Sequence, residues 1–259
     1  MPTPGTPAWA EVPTRDPEAA RAFYAGLLGW TYDVSTDPDH HGYTIAYSAG
    51  EQVAGLFTAP DDATPPGWLL YLHTTDIGET AKQVADLGGT PVLGPFEIPG
   101  RGHVLLAVDP GGASIGFWQS TDGYALPQAR AGALSWQELN TADPGPADAF
   151  YPALFDYRGQ QLGDGDQFDY RVWSVGEGEA AGRMRTGSDY PPELADRWML
   201  YFGVDPEVGA DAAAAKAAEL GGTVLVPPFD SPYGRIAVVT DPSGAPFSLV
   251  DLSKAAGQD

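Results

Sequence analysis

Trp9-Ala10-Glu11 recurs 127 residues later as Trp136-Gln137-Glu138. Alternate residues of a strand share a face, so Glu11 accompanies Trp9. By the same rule Trp136, Glu138 and Asn140, the one asparagine of the chain, share theirs. A carboxylate beside an indole in an apolar hollow has a raised pKa and can pass a proton. Held instead by an arginine such as Arg101, Arg183 or Arg235, the same carboxylate is a structural ion pair, and both readings stay open for Glu11 and Glu138. His73 shares a strand face with Leu69 and Tyr71, as an acid/base group or as a hydrogen-bonded structural histidine. Trp9, Tyr71, Trp118, Trp136, Trp198 and Tyr201, with Asn140, are candidates to line a site for a flat organic ligand. Tryptophans at repeated positions are also ordinary core material.

Other matches dissolve on inspection. Gly112-Ala113-Ser114-Ile115-Gly116 has the form of a nucleophile elbow, but that motif needs a strand-to-helix turn, and Ser114–Gln119 alternates like a strand. Gly176–Ala181 loosely matches a dinucleotide loop. It falls in a hairpin with no helix behind it, and its two acids would repel a pyrophosphate. His40 and His41 are adjacent loop residues that point apart, and His103 aligns with Arg235 in the repeat.

Acidic residues outnumber basic ones 35 to 13, for a formal charge of −22. Such a field repels polyphosphates and anionic membranes, so nucleic acid and membrane are excluded as partners. Apolar residues make up 43% and aromatic residues 11%, enough for a packed core. With no cysteine there is no thiolate chemistry. All four histidines precede residue 104, so a metal in the second half would rest on oxygen ligands. No apolar run reaches membrane-spanning length, and Met1–Ala10 lacks the features of a signal peptide, so a cytoplasmic location is expected.

The elements that must position these residues come from an internal repeat. The 127-residue offset also carries Asp16-Pro17 to Asp143-Pro144, Phe23-Tyr24 to Phe150-Tyr151, and Tyr43 to Tyr170. It drifts to 130 for Trp68 and Trp198, 133 for Leu87-Gly88-Gly89-Thr90 and Leu220-Gly221-Gly222-Thr223, and 132 for Asp109-Pro110 and Asp241-Pro242. Two domains follow, 7–121 and 134–252, joined by a linker over 122–133. Each reads as two β-α-β-β-β units. In the first, Asp16 caps a helix with Pro17 at its first position and Gly29 at its end. The strands that follow fall near 30–34, 42–48 and 51–58, and the second unit has a helix near 77–87 and strands near 91–93, 102–108 and 114–119. An α+β fold is expected, a mixed sheet with helices on one face and the other face curled around a cavity.

This arrangement resembles the vicinal oxygen chelate superfamily of glyoxalase I, extradiol dioxygenases, and bleomycin- and fosfomycin-resistance proteins. The likeness rests on Asp16–Trp30, Asp143–Tyr157 and the turns Asp109-Pro110-Gly111-Gly112 and Asp241-Pro242-Ser243-Gly244. The Trp-x-Glu opening is most similar to a tandem-domain group labelled glyoxalase-like or, without proof of activity, hydroxylase. The resemblance implies a divalent metal in three slots per domain. Here they hold Trp9 and Trp136, Leu69 and Met199, and Gly116 and Ser248, with Trp68 and Trp198 the alternative at the middle slot. Indole and aliphatic groups offer a hard cation no lone pair, so no metal and no cofactor is expected.

The sequence thus points to a metal-independent binding protein of the bleomycin-resistance type for an aromatic or cationic natural product. Glu11 and Glu138 would serve as counter-charges. The alternative is a glyoxalase-like lyase, hydroxylase, oxygenase or cyclase of secondary metabolism that moves protons with Glu11, Glu138 or His73. Enzyme and binder both stand at this point, beside a third reading of filled cups and no ligand. The partner is a small organic molecule, and because the duplication mimics a dimer of single domains, a monomer or weak homodimer is expected.

Overall fold

Asp16 accepts a hydrogen bond from the Ala19 amide over 3.0 Å and so starts the first helix, with Pro17 at a position that needs no amide donor. Gly29 ends it in the left-handed conformation, φ 71°, and returns its N–H to Ala25. The second repeat starts its helix with Asp143, capping Gly145, but ends it with Asp156 at φ 55° where the first has glycine. In the computed structural model, residues 2–61, 64–188, 190–191 and 194–256 are described. The first repeat forms β1 (Pro7–Thr14), α1 (Pro17–Leu28), β2 (Thr31–Val34), β3 (Thr44–Ser48), β4 (Glu51–Thr58), β5 (Leu69–His73), α2 (Ile77–Asp86), β6 (Thr90–Ile98), β7 (Gly102–Val108) and β8 (Ser114–Ser120). The second forms β9 (Leu134–Thr141), α3 (Pro144–Phe155), β10 (Arg158–Leu162), β11 (Tyr170–Val175), β12 (Gly178–Arg185), β13 (Arg197–Gly203), α4 (Gly209–Glu219), β14 (Thr223–Ser231), β15 (Gly234–Thr240) and β16 (Pro246–Asp251).

The expected β-α-β-β-β units are present four times, in an α+β architecture of two tandem repeats with mixed sheets. The strand orders are β2-β3-β4-β1-β5-β8-β7-β6 and β10-β11-β12-β9-β13-β16-β15-β14. In both repeats the opening strand of each unit lies parallel to that unit's last strand: β1 to β4, β5 to β8, β9 to β12, and β13 to β16. The hairpins are antiparallel. Gly112–Gly116 runs into strand β8, and Gly176-Glu177 is the turn between β11 and β12, so neither motif match has the context its chemistry needs. One strand is much longer than its sequence suggests. The stretch near 91–93 is part of β6, which pairs with β7 from Thr90 opposite Val108 to Ile98 opposite Gly102. Nearly every residue of β6 is exposed, so it carries none of the alternation that betrays a half-buried strand.

Two compact units divide the chain, and each takes half of each repeat. One consists of Met1–Trp9, Leu69–Ala125 and Gln137–Met199; the other of Ala10–Trp68, Leu126–Trp136 and Leu200–Asp259. In the first, α2 packs on α3. Its core stacks Tyr157 on Trp173 at 5.9 Å and sets Trp198 edge-on to Tyr151 at 5.3 Å. In the second, α1 packs on α4 and Trp30 stacks on Tyr24 at 5.1 Å, with Trp68, Phe202 and Phe247 around them. Linker residues join this second core: the Trp30 indole donates to the Gly132 carbonyl over 2.7 Å and Ser48 Oγ donates to that of Ala131.

Candidate functional site

Within the first unit, β1 contributes Trp9, β5 contributes Tyr71 and His73, and β8 contributes Trp118, with Tyr124 just beyond β8. His73 and Trp118 are Cα partners across parallel strands, as are Tyr71 and Gly116. Trp9 meets Trp118 edge-on at 6.0 Å and Tyr124 at 5.8 Å, and Tyr71 meets Trp118 edge-on at 6.3 Å. Edge-to-face packing of this kind adds about 0.5–1.5 kcal/mol per pair beyond area burial. Trp9, Tyr71 and His73 are all buried. The backbone of His73 is tied to the chain start, accepting from the Gly5 amide over 2.8 Å and donating to the Thr6 carbonyl over 2.9 Å. Its Nε2 is buried with no hydrogen-bond partner among the described residues. Burial pushes the imidazole from 6.5 down to about 4, so it is neutral at ordinary pH. The Trp118 indole N–H is also buried without a partner, and lies where a Cβ on Gly102 would stand 3.0 Å away.

The same unit holds Glu138 and Asn140. On β12 their Cα partners are Gly182 and Met184, while Leu139 is opposite Arg183. Arg183 reaches Asp148 of α3, so Leu139 and Arg183 lie on the helix side, and Glu138, Asn140, Gly182 and Met184 lie on the other. Tyr170 fills the space that Gly182 leaves: a Cβ there would stand 2.0 Å from the Tyr170 hydroxyl oxygen and 3.1 Å from Glu138 Cβ. Asn140 is fully buried, and its Nδ2 donates to the Tyr190 hydroxyl oxygen over 2.9 Å and to the Leu194 carbonyl over 3.2 Å.

Glu11 belongs to the second unit, opposite Gly55 on β4. The Tyr43 hydroxyl donates to its Oε2 over 2.7 Å. Tyr43 thus serves Glu11, and Tyr170, its counterpart in the repeat, places its hydroxyl over Gly182 beside Glu138, placements absent from the sequence reading although both tyrosines lie on the repeat. Of the three arginines considered as partners, Arg183 spends its nitrogens on Asp148 at 3.0 Å and Asp169 at 2.7 Å, and Arg235 on Asp211 and on Asp230 at 2.8 Å. Neither bonds a glutamate of the pair. Trp136 and Tyr201 also fall in the second unit, Tyr201 opposite the fully buried Ser248. Trp198, expected among the ligand-lining residues, points to the helix side instead. Its indole donates to the Tyr151 hydroxyl oxygen over 3.0 Å, which makes it core. His40 takes part in a loop contact with Ser35 at 2.9 Å.

The slots for a divalent metal do not fit one. A Cβ on Gly116 would stand 2.2 Å from the Tyr71 ring, so that ring occupies the place of a coordinating side chain. Trp9 and Leu69 carry no lone pair for a hard cation, and of the second repeat's slot residues, Trp136, Met199 and Ser248, the serine alone offers an oxygen. Among the described residues no three His, Cys, Asp or Glu side chains gather as metal ligands. No helix among the described residues is long and apolar enough to cross a membrane.

Comparison with known proteins places these observations in a family. The model described as Glyoxalase/Bleomycin resistance protein/Dioxygenase superfamily matches residues 6–117, and a glyoxalase-like domain model matches 136–250. The Mycobacterium tuberculosis protein named "Putative glyoxylase CFP32" is 36% identical over 252 residues, covering 95% of this chain and 94% of the relative. The anthracycline biosynthesis protein DauV of Streptomyces sp. (strain C5) is 34% identical over 269 residues, covering 97% and 95%. The Mn(II)-bound glyoxalase from Novosphingobium aromaticivorans superposes with a TM-score of 0.65 at 15% identity, over 98% of this chain and 86% of that one, a likeness of fold.

Proposed function

The chain belongs to the glyoxalase/bleomycin resistance protein/dioxygenase superfamily, and we propose that it is a metal-independent binding protein for a small aromatic molecule. The supporting observation is the cluster of Trp9, Tyr71, Trp118 and Tyr124 beside the strand position of His73, whose Nε2 is buried and without a partner among the described residues. An unsatisfied polar group next to an aromatic cluster suits a planar ligand with one polar atom to offer. A relative named for anthracycline biosynthesis points to a flat polycyclic ligand of secondary metabolism. The protein would work in the cytoplasm, as a monomer or weak homodimer.

A hydroxyanthraquinone titration tests this reading. Binding should quench tryptophan fluorescence and raise the melting temperature, and Trp118→Ala should weaken affinity at least tenfold while leaving the protein folded. The absence of both quenching and a thermal shift with wild type would sink the proposal.

The enzyme reading draws on one residue. A neutral, buried His73 can take a proton from a bound molecule, although with a pKa of about 4 it is a weak base. A relative named as a glyoxylase fits this alternative. His73→Gln separates the two: a binder keeps most of its affinity, while an enzyme loses turnover of the same ligand.

A further inference from the structure

The face that holds Tyr71, His73 and Trp118 continues two strands beyond the ring cluster, to the edge of the sheet. Pairing across β5, β8, β7 and β6 sets two rows side by side: His73, Trp118, Val104 and Phe96 in one, Tyr71, Gly116, Leu106 and Leu93 in the other. All eight positions lie in one compact unit. Directly paired residues share a face. The opposite face is the helix side, where α2 packs on β6, β7 and β8 and the row Leu72, Phe117 and Leu105 is fully buried. Neither row contains an acid, a lysine or an arginine, in a chain with 35 acids. Four strands make this wall about 14 Å wide.

The inner ends of the rows, His73 and Tyr71, are buried, and Trp118 and Leu106 are half-buried. Val104, between Trp118 and Phe96 in register, is buried as well. The outer ends stand in solvent: Phe96 is 40% exposed and Leu93 54%. With Val92, three of the eight large apolar side chains exposed among the described residues fall on β6, so the exposure belongs to this strand and is not scattered.

A protein partner does not suit this edge. Pro91 and Pro95 have no N–H to give to an added strand. Three side chains fall short of the about 20–30 residues that each side of a stable interface uses, and a formal charge of −22 on every copy opposes self-association. A small apolar molecule does suit it. The outer ends continue the surface of the ring cluster, and the Trp118 indole N–H in the same row is a buried donor without a partner. The second repeat keeps only the outer part. Its corresponding row is Gly203, Val250, Ile236 and Phe229, with the phenylalanine 43% exposed and no ring or imidazole at the other three places.

We propose that Leu93 and Phe96 form the outer subsite of the first-repeat ligand site and select ligands by length. A fused ring system that reaches from Trp118 to β6 gains contacts that a shorter one cannot make. The inference rests on the small-molecule reading above and adds to it the length of the ligand and the residues that sense it.

The test uses the full chain in tryptophan-quenching titrations with two uncharged quinones, hydroxyanthraquinone and the linear hydroxytetracenequinone, which is longer by one fused ring. The longer quinone should bind wild type at least tenfold more tightly. Leu93→Ser and Phe96→Ser should each bring its affinity down to that of the shorter quinone, whose own affinity stays unchanged. Phe229→Ser should leave both affinities as in wild type. Leu93 and Phe96 are exposed, so the free variants should melt with wild type, which separates a lost contact from a lost fold. Equal affinity of wild type for the two quinones, a preference that survives both serine variants on β6, or one that Phe229→Ser also removes would each overturn the proposal. If the shorter quinone binds through Trp118 and no length preference is found, the inference fails alone. If neither quinone binds, the small-molecule reading fails with it.

Discussion

The Tyr24 hydroxyl donates to Asp241 Oδ2 over 3.1 Å, across 217 residues of chain. Its counterpart, Tyr151, donates to Asp109 Oδ2 over 2.9 Å. In both, a helix of one repeat holds the Asp-Pro-x-Gly turn of the other. The second oxygen of each aspartate shapes its own turn: Asp109 Oδ1 accepts from the amides of Gly111 and Ala113, and Asp241 Oδ1 from those of Ser243 and Ala245. Each compact unit is therefore fastened by a bond between repeats, at a turn that the repeat itself would lead one to assign to a self-contained domain.

Removing the hydroxyl should be costly. Tyr24→Phe or Tyr151→Phe leaves a buried carboxylate oxygen without its donor, and hydrogen bonds to charged groups are worth about 1.5–3 kcal/mol. Burial already holds both aspartates above the usual carboxylate value, against the lowering effect of the turn amides and the tyrosine. Taking away the tyrosine should raise them further. Urea unfolding at pH 7 should show a loss of about 2 kcal/mol for each variant, shrinking as pH falls and the carboxyl, raised by burial, takes up a proton and needs no donor. An unchanged midpoint would show the bond to be dispensable.

The repeat, the helix caps and the four β-α-β-β-β units were legible in the sequence because each has a local signature: Asp-Pro starts, glycine ends, alternation. Which halves pack together was not, because an offset of 127 relates Phe23-Tyr24 to Phe150-Tyr151 without saying whose turn either tyrosine reaches. The glutamates were legible as candidates, but their hydroxyl neighbours were overlooked. Tyr43 reaches Glu11 from the residue just before β3, a contact that neither spacing nor charge announces. Trp198 misled for a related reason: one residue of strand slip decides which face a side chain takes.

His73 should make its own mark on acid stability. Its folded pKa lies near 4, below the unfolded value of 6.5. In that interval the unfolded chain binds the extra proton, so stability falls as pH drops from about 6.5 toward 4. A shift of this size is worth about 3 kcal/mol in full. His73→Leu should flatten that part of the curve, so that the urea midpoint falls less in the variant than in wild type between pH 7 and pH 4.5. Parallel curves would mean that the imidazole titrates normally.

Arg183 is 1% exposed in its side chain and joins Asp148 and Asp169. Burial pushes the Asp169 carboxyl up, but the bonds from Arg183 and Gln161 outweigh it and hold the pKa below the usual value. Arg183→Met keeps the volume and removes the charge, leaving Asp169 without its ion pair and Asp148 with Arg171 alone, at 3.1 Å. Breaking one partner out of such a buried set costs about 3–5 kcal/mol. Thermal unfolding should shift downward accordingly, and a double change, Arg183→Met with Asp169→Asn, should recover part of the loss. Failure of the second change to recover anything would remove the electrostatic explanation.

Gly116 carries the sharpest claim about metal chemistry. If the fold merely lost a ligand, Gly116→Glu should move the chain back toward a metal site. The Tyr71 ring argues otherwise, since any Cβ at 116 meets it at 2.2 Å. The substituted chain must swing Tyr71 out of the cluster, breaking its edge contact with Trp118, and overpacking of this kind costs about 1–3 kcal/mol. Even then the other two slots hold Trp9 and Leu69, which supply no donor, and the new carboxylate with the His73 imidazole makes two ligands at most. Calorimetric titration of Gly116→Glu with Mn(II) should show no tight site, and its melting temperature should fall relative to wild type. A one-to-one metal complex in this single variant would mean that donors near position 116 are better placed than Trp9 and Leu69 allow.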